Sequence, residues 1–197
     1  NTGFGDLATT RVNDLADLQR NLLLSHACGV ADPLPREVVR AMLLLKVKAL
    51  GQGHSGVALA TVQRLLDHWN EGVLPVVPRQ GSLGASGDLA PLSHLVLPLI
   101  GEGEVDMPDG RRLPCAEALK ELGWTPLVLG PKEGLALING TQMMLGTGLE
   151  AMARIERLAD WADGIGAWSL EAWNGLADAM YPSIHRVRNQ KGAIRRS

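Results

Sequence analysis

The stretch from Glu133 to about Asn174 constrains this chain more than any other feature. Its apolar residues recur at helical spacing, with Met143, Met144, Leu149, Met152, Ile155 and Leu158 on or near one face. An isolated helix draws most of its stability from packing, so this one demands other helices against it. Gly140, Gly146, Gly148, Gly164 and Gly166 interrupt the pattern. Each costs about 1 kcal/mol of helix propensity and lets a neighbouring helix come close. Trp161, Trp168 and Trp173, at near-helical spacing, read as packing for the same bundle.

The rest of the chain is also helical by periodicity. Residues 13–28 place Leu15, Leu18, Leu22 and Cys28 near one stripe after an Asn13 cap, and residues 36–50 carry Val38, Val39, Met42, Leu43, Leu45 and Val47 up to Gly51. A third helix begins at a Ser55 cap and stops at Gly72, and a fourth follows an Asp88 cap, with Pro91 in its first turn and Leu92, Leu95, Val96 and Leu99 at helical spacing. Between them and the long stretch, Glu104–Leu113 holds Asp109-Gly110 between two short extended pieces, a hairpin signal, with Pro114–Gly123 as a small helix behind it. The predicted fold class is mainly α: an N-terminal helical domain with a short β-hairpin, residues 1–131, runs into the first long helices of a central bundle, residues 132–197. The chain opens on Asn1 without an initiator methionine and stops at Ser197 without a terminating element, which reads as part of a longer protein.

Composition narrows the function classes. At 197 residues and 46% hydrophobic, the chain has ample material for a core. A net charge of -2 gives no basic field for nucleic acid or an anionic membrane, so the expected ligand is small. Cys28 and Cys115 form no Cys-x-x-Cys pair and the five histidines lack ligand spacing, so neither a disulfide framework nor a metal is predicted. No run approaches the ~20 apolar residues of a membrane span and no basic-then-apolar leader opens the chain, which makes a cytoplasmic enzyme the default expectation.

Residues 81–94, Gly-Ser-Leu-Gly-Ala-Ser-Gly-Asp-Leu-Ala-Pro-Leu-Ser-His, carry the strongest chemical signal. In Ala85-Ser86-Gly87, small neighbours let the Gly87 nitrogen close on the Ala85 carbonyl carbon and expel water. Loss of the Ser86 hydroxyl then leaves an exocyclic methylidene. The product is a methylidene-imidazolone, an electrophile of a kind that proteins otherwise take from cofactors. Two rival readings exist for the same residues. One is a plain Gly-rich turn ahead of a helix. The other is the Gly-x-Ser-x-Gly nucleophile elbow, for which Gly84 fits, Asp88 does not, and no strand-like run leads in, since Pro75 and Pro78 bracket Val76 and Val77.

The full string resembles the signature of the aromatic amino acid lyases, the family of histidine and phenylalanine ammonia-lyases. Other blocks agree in order: Asn1-Thr2-Gly3-Phe4-Gly5, Gly53-His54-Ser55-Gly56-Val57, and Lys132-Glu133-Gly134-Leu135-Ala136-Leu137-Ile138-Asn139-Gly140-Thr141. The similarity runs to about Ile184-His185 and departs over Arg188–Gly192, where the family has a Pro-rich, His-containing segment. The resemblance implies that Ala85, Ser86 and Gly87 form the electrophile autocatalytically, with no added cofactor and no metal. It further implies an amino acid substrate, a homotetramer, and active sites drawing on three subunits.

Site residues follow from the same resemblance. Asn139 is expected to contact the prosthetic ring and the substrate, and Leu135 to border the substrate. Ser25-His26 is the dipeptide of histidine-deaminating members, where phenylalanine and tyrosine enzymes resemble Phe-Leu and His-Leu. That implies non-oxidative elimination of ammonia from L-histidine to give urocanate. By residue type alone, His26 also reads as a locally satisfied core histidine, and Asn139 as a structural amide. Asp88 and His94 are expected to support the site from behind; His54 receives no role. The family's tyrosine base is expected ahead of Asn1 and its carboxylate-binding arginine beyond Ser197, and Tyr181 does not match the base. The alternatives are a phenylalanine or tyrosine lyase or aminomutase, and an inactive helical homologue or assembly subunit. The chain on its own is expected to be inactive.

Overall fold

The computed structural model describes residues 9–11, 14–84, 87–189 and 191–196. Two compact units result, Asn1–Glu150 and Ala151–Ser197. This division falls later than the expected boundary at 131/132, because the helix after residue 132 packs on the first and fourth helices.

In the first unit, α1 (Leu15–His26) starts where the Asp14 carboxylate accepts from the N–H groups of Ala16 and Asp17, both at 3.0 Å. The expected Asn13 cap lies outside the described residues, and Asp14 performs that task. Cys28 lies beyond this helix and is exposed, not on its stripe. Strand β1 (Val30–Pro33) leads to α2 (Arg36–Gly51), whose buried face is Val38, Val39, Met42, Leu43, Lys46 and Leu50. Leu45 and Val47, expected on that face, are half-buried, and Lys46 occupies the stripe instead.

Helix α3 (Leu59–Glu71) ends on Gly72 at φ 68°, a left-handed stop that glycine adopts without strain. Ser55 does not cap it. The N-cap is Ala58, and Glu133, distant in sequence, accepts from the Ala58 N–H at 2.7 Å and from the Thr61 hydroxyl at 2.8 Å. Strands β2 (Leu74–Pro75) and β3 (Pro78–Gln80) follow; with β1, they are elements that periodicity did not reveal. β3 pairs antiparallel with β1, so a short strand does lead into Gly81, contrary to expectation. Each proline sits at a strand end, where a missing N–H is tolerated.

Helix α4 (Leu89–Val96) continues into a 3-10 turn, Leu97–Ile100, and stops at Gly101. The hairpin appears as expected, β4 (Glu104–Asp106) and β5 (Arg112–Pro114) around Gly110 at φ 90°, and β2 joins its other edge. α5 (Cys115–Leu122) follows and covers a small cluster of Val73, Val105, Met107 and Ala118.

The expected long helix is two helices. α6 (Glu133–Ile138) and α7 (Gln142–Ala172) are separated at Asn139–Thr141, with Gly140 at φ 155°. The main core is built from α1, α2, α4 and α6, with Leu23, Met42, Leu43, Leu92, Leu95, Leu137 and Ile138 at its centre. In the second unit, α8 (Pro182–Val187) and α9 (Lys191–Arg196) follow the end of α7, and Trp161, Trp168 and Trp173 are all exposed rather than packed. Among the described residues no helix is long and apolar enough to cross a membrane.

Candidate active site

The break between α6 and α7 is where the site is assembled. Gly87, at φ 140°, is pressed against it. A Cβ at this position would lie 2.9 Å from Asn139 Oδ1, from the Gly140 nitrogen and from the Gly140 oxygen, so only glycine fits. The Asp88 N–H donates to the Gly140 carbonyl at 2.7 Å. Ala85 and Ser86 lie outside the described residues. The segment that carries them is tied at its ends, because the Ser82 hydroxyl donates to Asp88 Oδ1 at 2.7 Å.

Asp88 does not cap its own helix with its side chain. Fully buried, its carboxylate accepts from Ser82 on one oxygen and from the Met144 N–H, at 3.0 Å, on the other. It thus satisfies an orphan donor of α7's first turn and adds negative charge at that helix's positive end.

Helix α6 is held at both ends by buried side chains of other helices. Gln19, on α1, accepts from the Gly134 N–H at 3.0 Å. Lys46, only 1% exposed, donates to the Ala136 and Asn139 carbonyls at 3.1 and 3.2 Å. Burial pushes the Lys46 pKa down to about 8, against the opposing pull of the Asp88 charge. Glu133 closes the N-terminal side with a third bond, from the Gly130 N–H at 2.6 Å. Burial raises its pKa, but the bonds from Ala58, Gly130 and Thr61 outweigh that and leave it below 4.5.

His26, half-buried at the end of α1, shares a cavity of about 330 Å³ with Gly87, Cys28 and Leu83. Its Nδ1 lies 2.9 Å from the Leu22 carbonyl. A carbonyl only accepts, so Nδ1 carries the proton and Nε2 is the nitrogen left to a ligand. His94 takes the same tautomer but engages its other nitrogen. Its Nε2 accepts from the Gly29 N–H at 3.0 Å, which fixes the Nδ1-protonated tautomer, and burial lowers its pKa below 6.5. It anchors the chain just past Cys28 on that cavity's wall.

The residues singled out in the sequence therefore separate. Gly87, Asp88 and Asn139 meet at the helix break, and His26 faces the same cavity as Gly87. Leu135 is half-buried against the core and does not border this cavity. His54 is exposed on the loop between α2 and α3. Sequence reasoning missed Ser82, Lys46, Gln19 and Glu133's capping role. Lys46 had a signal, since it sits on the α2 stripe of Val39, Met42, Leu43 and Leu50.

A family profile for aromatic amino acid lyases matches residues 1–197. The chain belongs to the aromatic amino acid lyase family. A curated lyase of this family, histidine ammonia-lyase of Myxococcus xanthus, is 53% identical over 194 residues, which cover 98% of this chain and 38% of the relative. Among solved lyase structures, histidine ammonia-lyase from Trypanosoma cruzi superposes with a TM-score of 0.90 at 43% identity, over 100% of this chain and 39% of that one. The phenylalanine aminomutase of Pantoea agglomerans gives 0.92 at 31% identity, over 100% and 38%. The chain thus spans well under half the length of the lyases it matches.

Proposed function

We propose that this chain contributes the electrophile-forming part of a histidine ammonia-lyase, which converts L-histidine to urocanate and ammonia. The observation that carries the proposal is the meeting of three features at one place: the Cβ-excluding contact of Gly87 with Asn139–Gly140, the tie between Ser82 and Asp88, and His26 on the cavity that Gly87 borders. These residues fit a methylidene-imidazolone at Ala85-Ser86-Gly87, because they leave room for glycine alone and hold the segment's ends together. Such a group supplies an electron-poor alkene that turns the substrate amine into a better leaving group.

The chain's own residues have separable tasks in this reading. Asn139 presents its amide beside Gly87, where it orients the ring and the substrate. Asp88 and the Gly140 carbonyl fix the backbone next to the reacting atoms. His26 Nε2 accepts an N–H from the substrate's imidazole, which a phenyl ring lacks. A buried polar partner left unpaired costs about 1–3 kcal/mol, which favours histidine by about fivefold to somewhat over a hundredfold. His94 keeps the wall beyond His26 in place, and Leu135, which does not border the cavity, has no substrate contact in this reading. Assembly as a homotetramer belongs to the same proposal, supported by the exposed Met152, Ile155, Leu158 and Trp161 of α7, and a cytoplasmic location is proposed with it.

Incubation of the full-length protein with L-histidine, L-phenylalanine and L-tyrosine tests the reading. Urocanate formed from histidine, with the other two turned over at least tenfold more slowly, supports it. Turnover of phenylalanine or tyrosine without histidine overturns it in favour of the lyase or aminomutase alternative. No turnover of any of the three points to the inactive homologue.

A further inference from the structure

Among the described residues of the first unit, Lys46 is the most deeply buried charge that the reaction leaves unused. It lies on α2, among Met42, Leu43 and Leu50, and is 1% exposed. A lysine on such a stripe is unfavourable unless its ammonium is satisfied, and two of its three donors are spent on the Ala136 and Asn139 carbonyls. Those carbonyls belong to the last turn of α6, whose acceptors have no partner within the helix. A cation there also complements the negative end of the helix.

The same bonds reach the reacting segment. Asn139 is held through its carbonyl by Lys46, Gly140 through its carbonyl by the Asp88 N–H, and Met144 through its N–H by the Asp88 carboxylate. The break between α6 and α7 is therefore clamped on both sides, and Gly87 bears on the clamped atoms. A backbone cyclisation at 85–87 needs a rigid surface to push against, and an Asn139 carbonyl without its donor would be free to turn. We propose that Lys46 is a positioning residue for electrophile formation: its ammonium fixes the Asn139–Gly140 backbone against Gly87, and so governs how completely Ala85-Ser86-Gly87 matures. Burial pulls its pKa down to about 8, and the Asp88 charge opposes that loss of the cation. This inference rests on the function proposed above.

The test compares the full-length protein with Lys46→Met and Lys46→Arg by intact mass, by near-ultraviolet absorbance of the electrophile, and by kcat and KM for histidine. Lys46→Met is expected to remain largely at the unmodified mass, with kcat at least tenfold lower and KM within about threefold of the parent. Lys46→Arg, which keeps a cation and donors, is expected to recover most of the two-water loss. If Lys46→Met does not fold, Lys46→Gln, which keeps a donor but no charge, takes its place with the same expectation. A folded Met or Gln variant as fully dehydrated and as fast as the parent overturns the role of Lys46 alone, as does an Arg variant no more mature than the Met variant. A parent protein that itself lacks the two-water loss overturns the electrophile reading instead.

Discussion

Two sets of charged side chains in the first unit invite comparison. On the hairpin, Arg111 pairs with Asp109 and Glu121 at 2.6 Å, and Arg112 with Asp106 at 2.8 Å, with side chains that are mostly exposed. Around the helix break, Asp88, Glu133 and Lys46 are almost fully buried and bond mainly to backbone N–H and carbonyl groups. The first set has the shorter list of duties although its geometry is good, since water competes for every partner. The second set has no such competitor, so each lost bond strands a buried group. Charge matters here where it replaces a missing backbone partner, not where it finds an opposite charge.

The largest effect that distinguishes the two regions is expected for Gly87→Ala. The added Cβ meets the Gly140 backbone at 2.9 Å in a left-handed conformation, which together cost about 4 kcal/mol. Urea unfolding should show this loss, and the variant should carry no dehydrated ring.

Next comes His68, on α3, which is 1% exposed and whose Nδ1 sits 2.9 Å from the Val73 carbonyl. Burial lowers its pKa to about 4, with the Val73 bond pulling the other way. Between pH 6.5 and about 4 the unfolded chain binds a proton there and the folded chain does not. Stability should therefore be lost as pH falls through that window, by something on the order of 3 kcal/mol. In His68→Phe the slope over this window should flatten, as read by denaturation at pH 7, 5.5 and 4.

Glu133→Gln is expected to cost about 2 kcal/mol at pH 7, because an amide replaces a carboxylate that accepts three bonds. Since the folded Glu133 pKa lies below 4.5, its contribution is complete above that pH and is lost as pH falls through the folded value. The difference between parent and variant should therefore shrink in acid. The smallest effect belongs to the hairpin. Arg111→Ala should leave the unfolding midpoint unchanged within error, and a clear loss there would break the contrast between the two regions.

Much of the fold was legible because its causes are local. The α2 stripe, the glycine stop at Gly72 and the Asp109-Gly110 turn follow from side-chain spacing and backbone freedom over a few residues. What escaped depends on contacts remote in sequence. Ser55 was the obvious cap for α3, yet Glu133 does that work from the far side of the chain. The long helical pattern gave no sign of the break at Asn139–Thr141 beyond Gly140 itself. Strands β1–β3 are too short for periodicity to register, and prolines at their ends disguised two of them. For the site, the string at 81–94 singled out Ala85-Ser86-Gly87 as the candidates, while the groups that hold Gly87 and Asp88 had no motif. Lys46 was visible only as a polar residue on an apolar stripe, and Ser82 only as a hydroxyl near a carboxylate.

The central claim is that Ala85-Ser86-Gly87 becomes a dehydrated ring, and peptide mass mapping of the purified full-length protein tests it most directly. The peptide that follows Arg79 should be lighter than its sequence by two waters, with the loss confined by fragmentation to those three residues. The same peptide at its unmodified mass, with the Ser86 hydroxyl present in folded protein, would contradict the account.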